Sequence, residues 1–497
     1  MRNTIIESEK NVERAIDGLA KIAQSSDEDT RKLSDVEKEL WTLLLALGRS
    51  LIALFLARRA AQKRPGFYEY EQKRFFVAKD KTRTSEVGTI FGKVSFTRLF
   101  GRPISNGRGA ADLVVDRELG LVSGFSLLVV LQLVRLCVQM PFARARETFR
   151  SFYEWAPSPR ATLRMVDAVG PEALEYMLSA PCPEDEGEVL VIECDAGGNP
   201  TISPTEYAKR CTPKNKQKPT SRQERKKKRK THEKRVRAKG KKSKNSKAAV
   251  IGVVYTLRVK DGVTEGPLNK RVIATHAGHE QLFKLLEVEA TKRGYGQKKS
   301  VFLSDGSEHI LERQRRFFPD AIPCLDWCHA TEYLWKACTA FRKEGTKQLK
   351  KTAEWLKKRM LSGDIDGVIT YLEYKLAGIP KTGPGNKGKR EKLSKTISYL
   401  DNNQERLRYA ELRKAGLPIG SGVVEGTVRN LIRQRLDCSG MRWGLDRCEH
   451  ILHLRCVFLN QQWEMFGSYL ERKNIRLASQ PQPATPYDAK PMYSKSA

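Results

Sequence analysis

Two acidic residues stand where carboxylates could serve phosphoryl transfer. Asp195 follows the apolar run 189–192, and two glycines come after it. Asp305 follows a shorter apolar run, 300–303, and precedes Gly306. Phosphoryl transfer on nucleic acids is commonly run by two Mg²⁺ ions about 3.5–4 Å apart, which hard carboxylate oxygens bind. Two acids at the ends of neighbouring strands, with a third on a nearby helix, would provide such a site.

Glu425 is the third acid, in the glycine-bounded helix start Gly420-Ser-Gly-Val-Val-Glu-Gly426. One of these glycines would permit close packing against the sheet. Arg429 and Arg433 follow at four-residue steps, so on a helix they share the face of Glu425 and would point at the same phosphate. Alone, Glu425 with Arg429 is an exposed helical ion pair worth a few tenths of a kcal/mol. Likewise, a strand-end Asp before Gly is a common turn residue.

Three further residues compete for a role at this site. Glu193 lies two residues before Asp195, hence on the same strand face, and is a rival ligand. Asp326 and His329 form a D-x-x-H element. His329 could touch the scissile phosphate or a leaving oxygen, or could be a structural histidine bonded to Asp326. Zinc is disfavoured, because the spacing of the nearby cysteines is not a finger pattern and a fourth ligand is missing.

The elements that position these acids follow from hydrophobic patterning. Apolar runs predict strands at 189–192, 250–259, 271–276, 300–303 and 321–325, and helical periodicity is seen at 280–293. The order strand–strand–strand–helix–strand–helix–strand predicts a mixed α/β layer. We place the first part of a catalytic core at 185–340, a charged helical insertion at 341–412, and the returning part with Glu425 at 413–462.

The residues before this layer predict mainly helices. Region 1–105 contains one or two long helices and a short hairpin around Gly92-Lys93. Region 106–184 contains helices on both sides of a proline-rich turn, with Ser158 as a predicted N-cap. Arg160 and Arg164 then share one helix face. A helix-turn-helix reader of DNA is one interpretation, and an ordinary helical pair with a basic outer face is the other.

Charge indicates the class of partner. The 497 residues carry a formal net charge of +33, which predicts a polyanionic partner. Segment 209–247 holds 20 Lys and Arg residues against two acidic ones, and we expect a mobile arm there when its partner is absent. Such an arm would contact phosphates without reading sequence. Its unbroken basic run consists of Arg225, Lys226, Lys227, Lys228, Arg229 and Lys230.

Membrane and secreted classes are disfavoured by the same sequence. Apolar stretches at 43–57 and 127–140 are interrupted by polar residues and fall short of about 18 clean apolar residues, so both predict buried helices. No secretory signal is visible at 1–10. Ten cysteines without a short repeated spacing indicate reduced thiols. We therefore expect a cytoplasmic protein with no membrane partner, and a tail at 463–497 that is disordered at its proline-rich end.

Several short motifs together resemble those of the insertion-sequence DDE transposases of the ISKra type, and more distantly Mutator-like transposases. The similarity spans roughly residues 35–460. The motifs around the acids are Asp195-Ala-Gly-Gly, Leu303-Ser-Asp-Gly, Asp326-Trp-Cys-His329 and the Glu425 segment. Downstream, Arg435-Leu436, Ser439-Gly-Met-Arg-Trp443 and Ile451-Leu-His-Leu-Arg455 continue the resemblance.

The resemblance implies an RNase H-like fold with a helical insertion before the catalytic Glu. It makes Asp195, Asp305 and Glu425 the metal-binding catalytic triad, with Mg²⁺ as cofactor and Mn²⁺ able to substitute. The implied partner is double-stranded DNA, both element ends and target, which paired ends would bring to a homo-oligomer. Arg435 joins Arg429 and Arg433 among the expected DNA contacts. The alternatives are an inactive or nuclease-only RNase H-fold protein and a basic RNA-binding protein.

Overall fold

The computed structural model describes residues 2–24, 31–61, 67–70, 73–103, 112–113, 119–211, 246–260, 263–438 and 440–473. The described residues form two compact units. The first contains the residues up to Tyr176 and those from Gln461 onwards, and the second runs from Met177 to Asn460. The region predicted at 1–105, most of the region predicted at 106–184 and the start of the predicted tail therefore contribute to one unit, and residues 177–184 belong to the other.

The first unit begins with two helices and an antiparallel sheet of order β1-β2-β3-β4. The predicted hairpin is present, but its strands are longer than expected and its turn is at 90–91, because Thr89 pairs directly with Gly92. Gly92 has a φ of 124°, which glycine adopts easily. The elements are α1 (Arg2–Gln24), α2 (Leu33–Ala61), β1 (Phe67–Tyr70), β2 (Lys73–Thr89), β3 (Gly92–Pro103) and β4 (Asp112–Leu113).

Helix α2 corrects one prediction. Only 17% of its most apolar 18-residue window is buried, so the stretch 43–57 is not the buried helix that we expected. Leu44, Leu51 and Phe55 are exposed, because α1 and β3 cover only part of the helix surface. By length and hydropathy α2 passes the test for a membrane-crossing helix. A single such helix near the N-terminus is weak evidence, since core helices and signal sequences pass the same test.

The remaining helices of the first unit match the sequence closely. The second apolar stretch forms α3, whose Val129, Val130 and Leu133 are buried as predicted. Ser158 Oγ accepts a hydrogen bond from the Ala161 amide at 3.2 Å, which confirms the predicted N-cap. The elements are α3 (Leu127–Gln139), α4 (Phe142–Tyr153), α5 (Pro159–Ser179) and, from the predicted tail, α16 (Trp463–Lys473).

The second unit is a mixed α/β layer, as predicted, with a five-stranded sheet of order β7-β6-β5-β8-β9. Strands β5, β6 and β7 pair antiparallel, whereas β5, β8 and β9 pair parallel. Its first elements are β5 (Val189–Pro200), α6 (Pro204–Cys211), β6 (Ser246–Lys260), β7 (Val263–Thr275), α7 (His279–Lys292), β8 (Lys299–Ser304), α8 (Glu308–Phe317) and β9 (Ile322–Leu325). Most of the basic segment 209–247, including the run 225–230, lies outside the described residues.

Strand β5 is longer than its apolar core. It continues to Pro200 because it pairs with β6 along its whole length, from Val189 opposite Leu257 to Pro200 opposite Ser246. Its parallel partner β8 is shorter and reaches only the pair Glu193–Leu303. Asp195 therefore lies within the strand, two residues beyond the last parallel pair, and not at a strand end as predicted.

Helices follow β9 and return the chain to the sheet, and segment 341–412 is helical as predicted. Helix α14 continues into one π-helical turn, Arg429–Arg433. The elements are α9 (Trp327–Cys338), α10 (Lys347–Leu361), α11 (Ile365–Ala377), α12 (Asn386–Asp401), a 3₁₀ turn (Gln404–Arg406), α13 (Tyr409–Lys414), α14 (Gly422–Val428) and α15 (Leu445–Leu459).

Candidate active site

Asp195 in β5 and Asp305 directly after β8 lie on neighbouring parallel strands, at the end of the sheet towards which both strands run; we call this end the sheet edge. Each stands two residues beyond the last β5–β8 pair, and adjacent strands are about 4.8 Å apart. Both side chains are half-buried. Asp305 accepts hydrogen bonds from the amide and the hydroxyl of Ser307, at 3.0 and 2.9 Å, which fix its orientation.

The helical insertion packs directly behind Asp305. Arg406, which is buried, donates to the Asp305 carbonyl oxygen at 3.1 Å and to Ser304 Oγ at 3.3 Å. A Cβ at Gly306 would overlap the ring of Tyr399, so the glycine of the Asp-Gly pair lets α12 approach the strand end. Segments distant in sequence therefore hold the backbone at this carboxylate.

Asp326 is buried at the start of α9 and joins two helices. Its Oδ2 accepts from the His329 amide and pairs with His329 Nδ1, both at 2.8 Å. Its Oδ1 accepts from the Ser421 amide at 2.6 Å, just before α14. Burial pushes the pKa of Asp326 upward, but the hydrogen bonds from His329 and Ser421 outweigh it and leave that pKa below its usual value. Asp326 therefore orients its neighbours, and the His329 ring keeps Nε2 for another partner.

Glu193, the rival ligand, turns out to be a support for Glu425. It is completely buried, and its two carboxylate oxygens accept from Tyr255 Oη at 2.8 Å and from the Val424 amide at 2.7 Å. Burial raises its pKa to about 7. Because both oxygens are occupied inside the protein, Glu193 positions the helix that carries Glu425 and has none left to offer at the surface.

The charged groups at this edge are close enough to shift one another's pKa values. One ligand atom from each of Asp326, His329 and Glu425 lies within 4.8 Å of the others. Burial raises the pKa of Asp195, and the charges of Asp305 and Asp326 raise it further. Burial likewise raises the pKa of Glu425, with Asp326 next in effect. The Asp326 hydrogen bond raises the pKa of His329 to about 9, with smaller contributions from Asp305 and Asp195.

The donor set fits a hard divalent cation. The Glu425 carboxylate accepts no hydrogen bond from the part of the chain that the structure describes, and there Asp195 accepts only from the Ala196 amide, at 2.6 Å. Oxygens with free lone pairs and mutually repelling charges are the ligands that Mg²⁺ and Mn²⁺ take. Asp195 and Glu425 therefore have oxygens suited to such an ion, whereas both oxygens of Asp305 accept hydrogen bonds from Ser307. Among the described residues, the three side chains whose ligand atoms all lie within 4.8 Å of one another are Asp326, His329 and Glu425, so the predicted triad is not drawn together that closely.

The three predicted arginines after Glu425 differ in exposure. Arg429 and Arg433 are exposed, as DNA contact requires. The prediction for Arg435 is wrong, because this residue is 1% exposed and its guanidinium lies 4.8 Å from the ring centroid of Trp443. Arg435 stands two residues after Arg433, and residues two apart on a helical turn point to opposite sides, so the exposed face of Arg433 is not shared by Arg435.

The remaining downstream motifs also support the Glu425 helix. Arg455 Nε donates to the carbonyl oxygens of Asn430 and Leu431, at 2.9 and 3.1 Å, so a buried guanidinium binds carbonyls of the π-helical turn. Trp443 Nε1 donates to the Leu436 carbonyl at 2.9 Å. These residues bind the backbone of the segment that follows Glu425, which accounts for their presence in the downstream motifs.

Close packing between β5 and α14 depends on a different glycine from those we expected. A Cβ at Gly197 would lie 2.9 Å from Ile432 Cγ1, nearer than side chains normally approach. At Gly420, Gly422 and Gly426 a Cβ would meet no atom within 4 Å. The glycine after Asp195 therefore admits the helix, and the glycines around Glu425 border open space.

Two further groups of residues were predicted to contact DNA. Arg160 and Arg164 are exposed on α5. The basic run from Arg225 to Lys230 lies outside the described residues. Sequence reasoning missed the roles of Tyr399 and Arg406, which lie 94 and 101 residues after Asp305. No local pattern links such distant positions. Tyr255 carried a weak signal, because it belongs to the alternating pattern of a strand that pairs with β5.

Neither a protein-family model nor a curated protein matches the chain. The case for a function therefore rests on the residues at the sheet edge and on the motifs that surround them.

Proposed function

We propose that the chain is a DDE transposase, which cuts DNA at the ends of a transposable element and joins the resulting 3′-hydroxyl to target DNA. The observation that carries the proposal is the cluster of Asp326, His329 and Glu425, whose ligand atoms lie within 4.8 Å of one another. Asp195 and Asp305 lie beyond the last β5–β8 pair, near enough for their charges to act on His329. Three antiparallel strands followed by two parallel ones, with a helical insertion before Glu425, are consistent with an RNase H-like fold. The net charge of +33 suits a DNA substrate.

Asp195, Asp305 and Glu425 would hold Mg²⁺ or Mn²⁺. A bound ion of this kind stabilises charge on a phosphate and generates a nucleophile at neutral pH. His329 remains protonated up to about pH 9 because Asp326 holds its Nδ1, so its Nε2–H can donate to a phosphate or leaving oxygen. The exposed guanidinium groups of Arg429 and Arg433 would contact flanking phosphates.

Cleavage and joining of DNA that flanks the gene test this proposal. We expect the purified protein to nick and join such DNA only with Mg²⁺ or Mn²⁺. Asp305→Asn and Glu425→Gln should lower both rates by at least about 100-fold while leaving the melting temperature within a few degrees of wild type. Asp320→Asn is the matched control, since Asp320 is exposed just before β9, at the opposite edge of the sheet.

Three outcomes would contradict the proposal in different ways. If the Asp305→Asn variant cut and joined DNA at the wild-type rates, the proposed active site would be wrong. Nicking without joined products would indicate a nuclease that performs no strand transfer. Tight binding to structured RNA in preference to DNA, without any divalent-ion requirement, would favour the RNA-binding alternative.

A further inference from the structure

A pair of histidines lies at the same sheet edge as Asp305. His279 is the first residue of α7 and His309 the second residue of α8, and their ring centroids are 4.8 Å apart. Strand β7 runs parallel to β5 because both pair antiparallel with β6, so the chain leaves β7 for α7 at the edge where β8 ends. Neither ring hydrogen bonds to another described residue.

Charged groups of both signs surround the pair. Arg313 lies one turn after His309 on α8 and donates to its carbonyl oxygen at 2.8 Å. Glu280 is already shared between Arg313 and Arg316, at 3.6 and 3.1 Å. The charged and titratable groups around the two imidazoles are Asp305, Glu280, Glu308, Arg313 and Arg316.

Neighbouring positive charges disfavour the state in which both histidines are protonated. Burial lowers the pKa of His279, and the charges of His309 and Arg313 lower it further, against a smaller opposing effect of Asp305. An anion in contact with both rings would remove this repulsion, because imidazolium and guanidinium N–H groups donate strongly to anionic oxygens. The two imidazoles, unpaired among the described residues, and Arg313 thus offer donors to a negatively charged ligand.

A metal ion is the poorer occupant. Among the described residues, the one group of three His, Cys, Asp or Glu side chains close enough to hold a metal is Asp326, His329 and Glu425. The pair lacks a third ligand of that kind. Phosphate, in contrast, needs only the donors that His279, His309 and Arg313 supply.

We propose that His279, His309 and Arg313 form a binding subsite for one phosphodiester of the DNA backbone beside Asp305. DNA as the ligand rests on the proposed function. The phosphate bound there is a neighbour of the one that Glu425 and His329 approach, so the subsite fixes the register of the strand across the end of β8 and reads no sequence.

A phosphate-by-phosphate binding experiment tests the subsite. Duplex DNA from the gene's flank carries one uncharged methylphosphonate at each position in turn, and the dissociation constant is measured for wild type and for His279→Ala/His309→Ala in EDTA. At one phosphate, neutralisation should weaken wild-type binding about tenfold. The double variant should bind native DNA about tenfold more weakly and be insensitive to neutralisation at that position.

Lys299→Ala is the matched control, since Lys299 is exposed at the start of β8, about 20 Å along the strand from Asp305. It should keep the wild-type sensitivity at the mapped phosphate. Wild-type affinity should also strengthen as the pH falls from about 8 to about 6, and the double variant should lose most of that dependence. Equal sensitivity of wild type and double variant at every phosphate overturns the inference.

The mapping is independent of catalysis, so the two proposals can fail separately. Protein that cleaves and joins DNA but shows no such phosphate loses the subsite and keeps the proposed function. Protein that shows the phosphate but does not cleave in Mg²⁺ or Mn²⁺ keeps the subsite and loses the proposed enzyme activity. Melting curves of the double variant establish that a loss of binding does not come from unfolding.

Discussion

Five carboxylates at this end of the sheet differ in burial and in what their oxygens bind. Glu193 and Asp326 are completely buried, and both oxygens of each accept hydrogen bonds from distant or helix-start groups. Asp195 and Glu425 keep free oxygens, whereas half-buried Asp305 accepts only from Ser307, two residues away. Acidic residue types alone do not reveal these differences. Burial and hydrogen-bond partners together therefore separate the supporting acids Glu193 and Asp326 from the candidate ligands.

Glu193→Gln tests this distinction through pH. The folded protein holds the Glu193 proton up to about pH 7, whereas the unfolded chain releases it near 4.5. Stability should therefore fall by up to about 3 kcal/mol as the pH rises through that window, and stay level above it. In the Glu193→Gln variant the new side-chain amide can accept from Val424 and donate to Tyr255, so this variant should lack the fall.

Chemical denaturation in EDTA at pH 5 and pH 7.5 measures the effect. Glu287→Gln, at an exposed position of α7, is the control and should follow wild type. An equal pH dependence in wild type and Glu193→Gln would mean that Glu193 is ionised in the folded state across this range.

At the scale of elements, the helical insertion determines how Asp305 is held. Arg406 binds the backbone at the end of β8, and Tyr399 lies where a side chain at Gly306 would stand. The Tyr399 ring cannot move aside easily, since it stacks on Tyr333 with centroids 3.8 Å apart. The insertion and the sheet thus form one continuous packing arrangement around the candidate site.

Gly306→Ala should break this arrangement. Overlap of the new methyl group with Tyr399 should cost about 1–3 kcal/mol of unfolding free energy and lower DNA cleavage by displacing Asp305. Thermal unfolding and the cleavage assay measure the two effects. Gly388→Ala, where a Cβ meets no atom within 4 Å, should leave both unchanged.

A second substitution separates this overlap from other causes. Tyr399→Ala in the Gly306→Ala background removes the opposing ring, so the two losses in stability should be clearly less than additive. Strictly additive losses would show that Gly306 does not contact Tyr399 in solution.

At the scale of the whole molecule, positive charge is concentrated in one connection. Residues 212–245, between α6 and β6, hold 17 Lys and Arg against two acidic residues, so their removal lowers the net charge from +33 to +18. Their contribution to DNA binding should be electrostatic and independent of sequence, because a run of lysines and arginines provides phosphate contacts and no base-reading pattern.

Replacing 212–245 by a Gly/Ser linker of equal length should therefore weaken binding to any duplex and flatten the slope of log affinity against log salt. Cleavage at low salt should persist, since Asp195, Asp305 and Glu425 remain. Binding isotherms at several salt concentrations measure the slope. An unchanged slope, or a loss of cleavage at every salt concentration, would assign the segment a different role.

The order of the elements in the second unit follows from local sequence patterns. Contiguous apolar runs gave the five strands, and helical periodicity gave the segments between and after them. Asp195, Asp305 and Glu425 were also recognisable as candidates, because an acid after an apolar run or in a glycine-bounded helix start is a local feature. The Ser158 cap was predictable for the same reason, since the hydrogen bond spans only three residues.

Features that depend on distant neighbours are visible only in the folded protein. Strand β5 extends past its apolar run because β6 pairs with it, and α2 is largely exposed because few elements cover it. Arg435 is buried because Trp443, from a later segment, packs against its guanidinium. Burial and hydrogen-bond partners depend on which remote segments pack together. The residue pattern within one segment does not reveal those tertiary contacts.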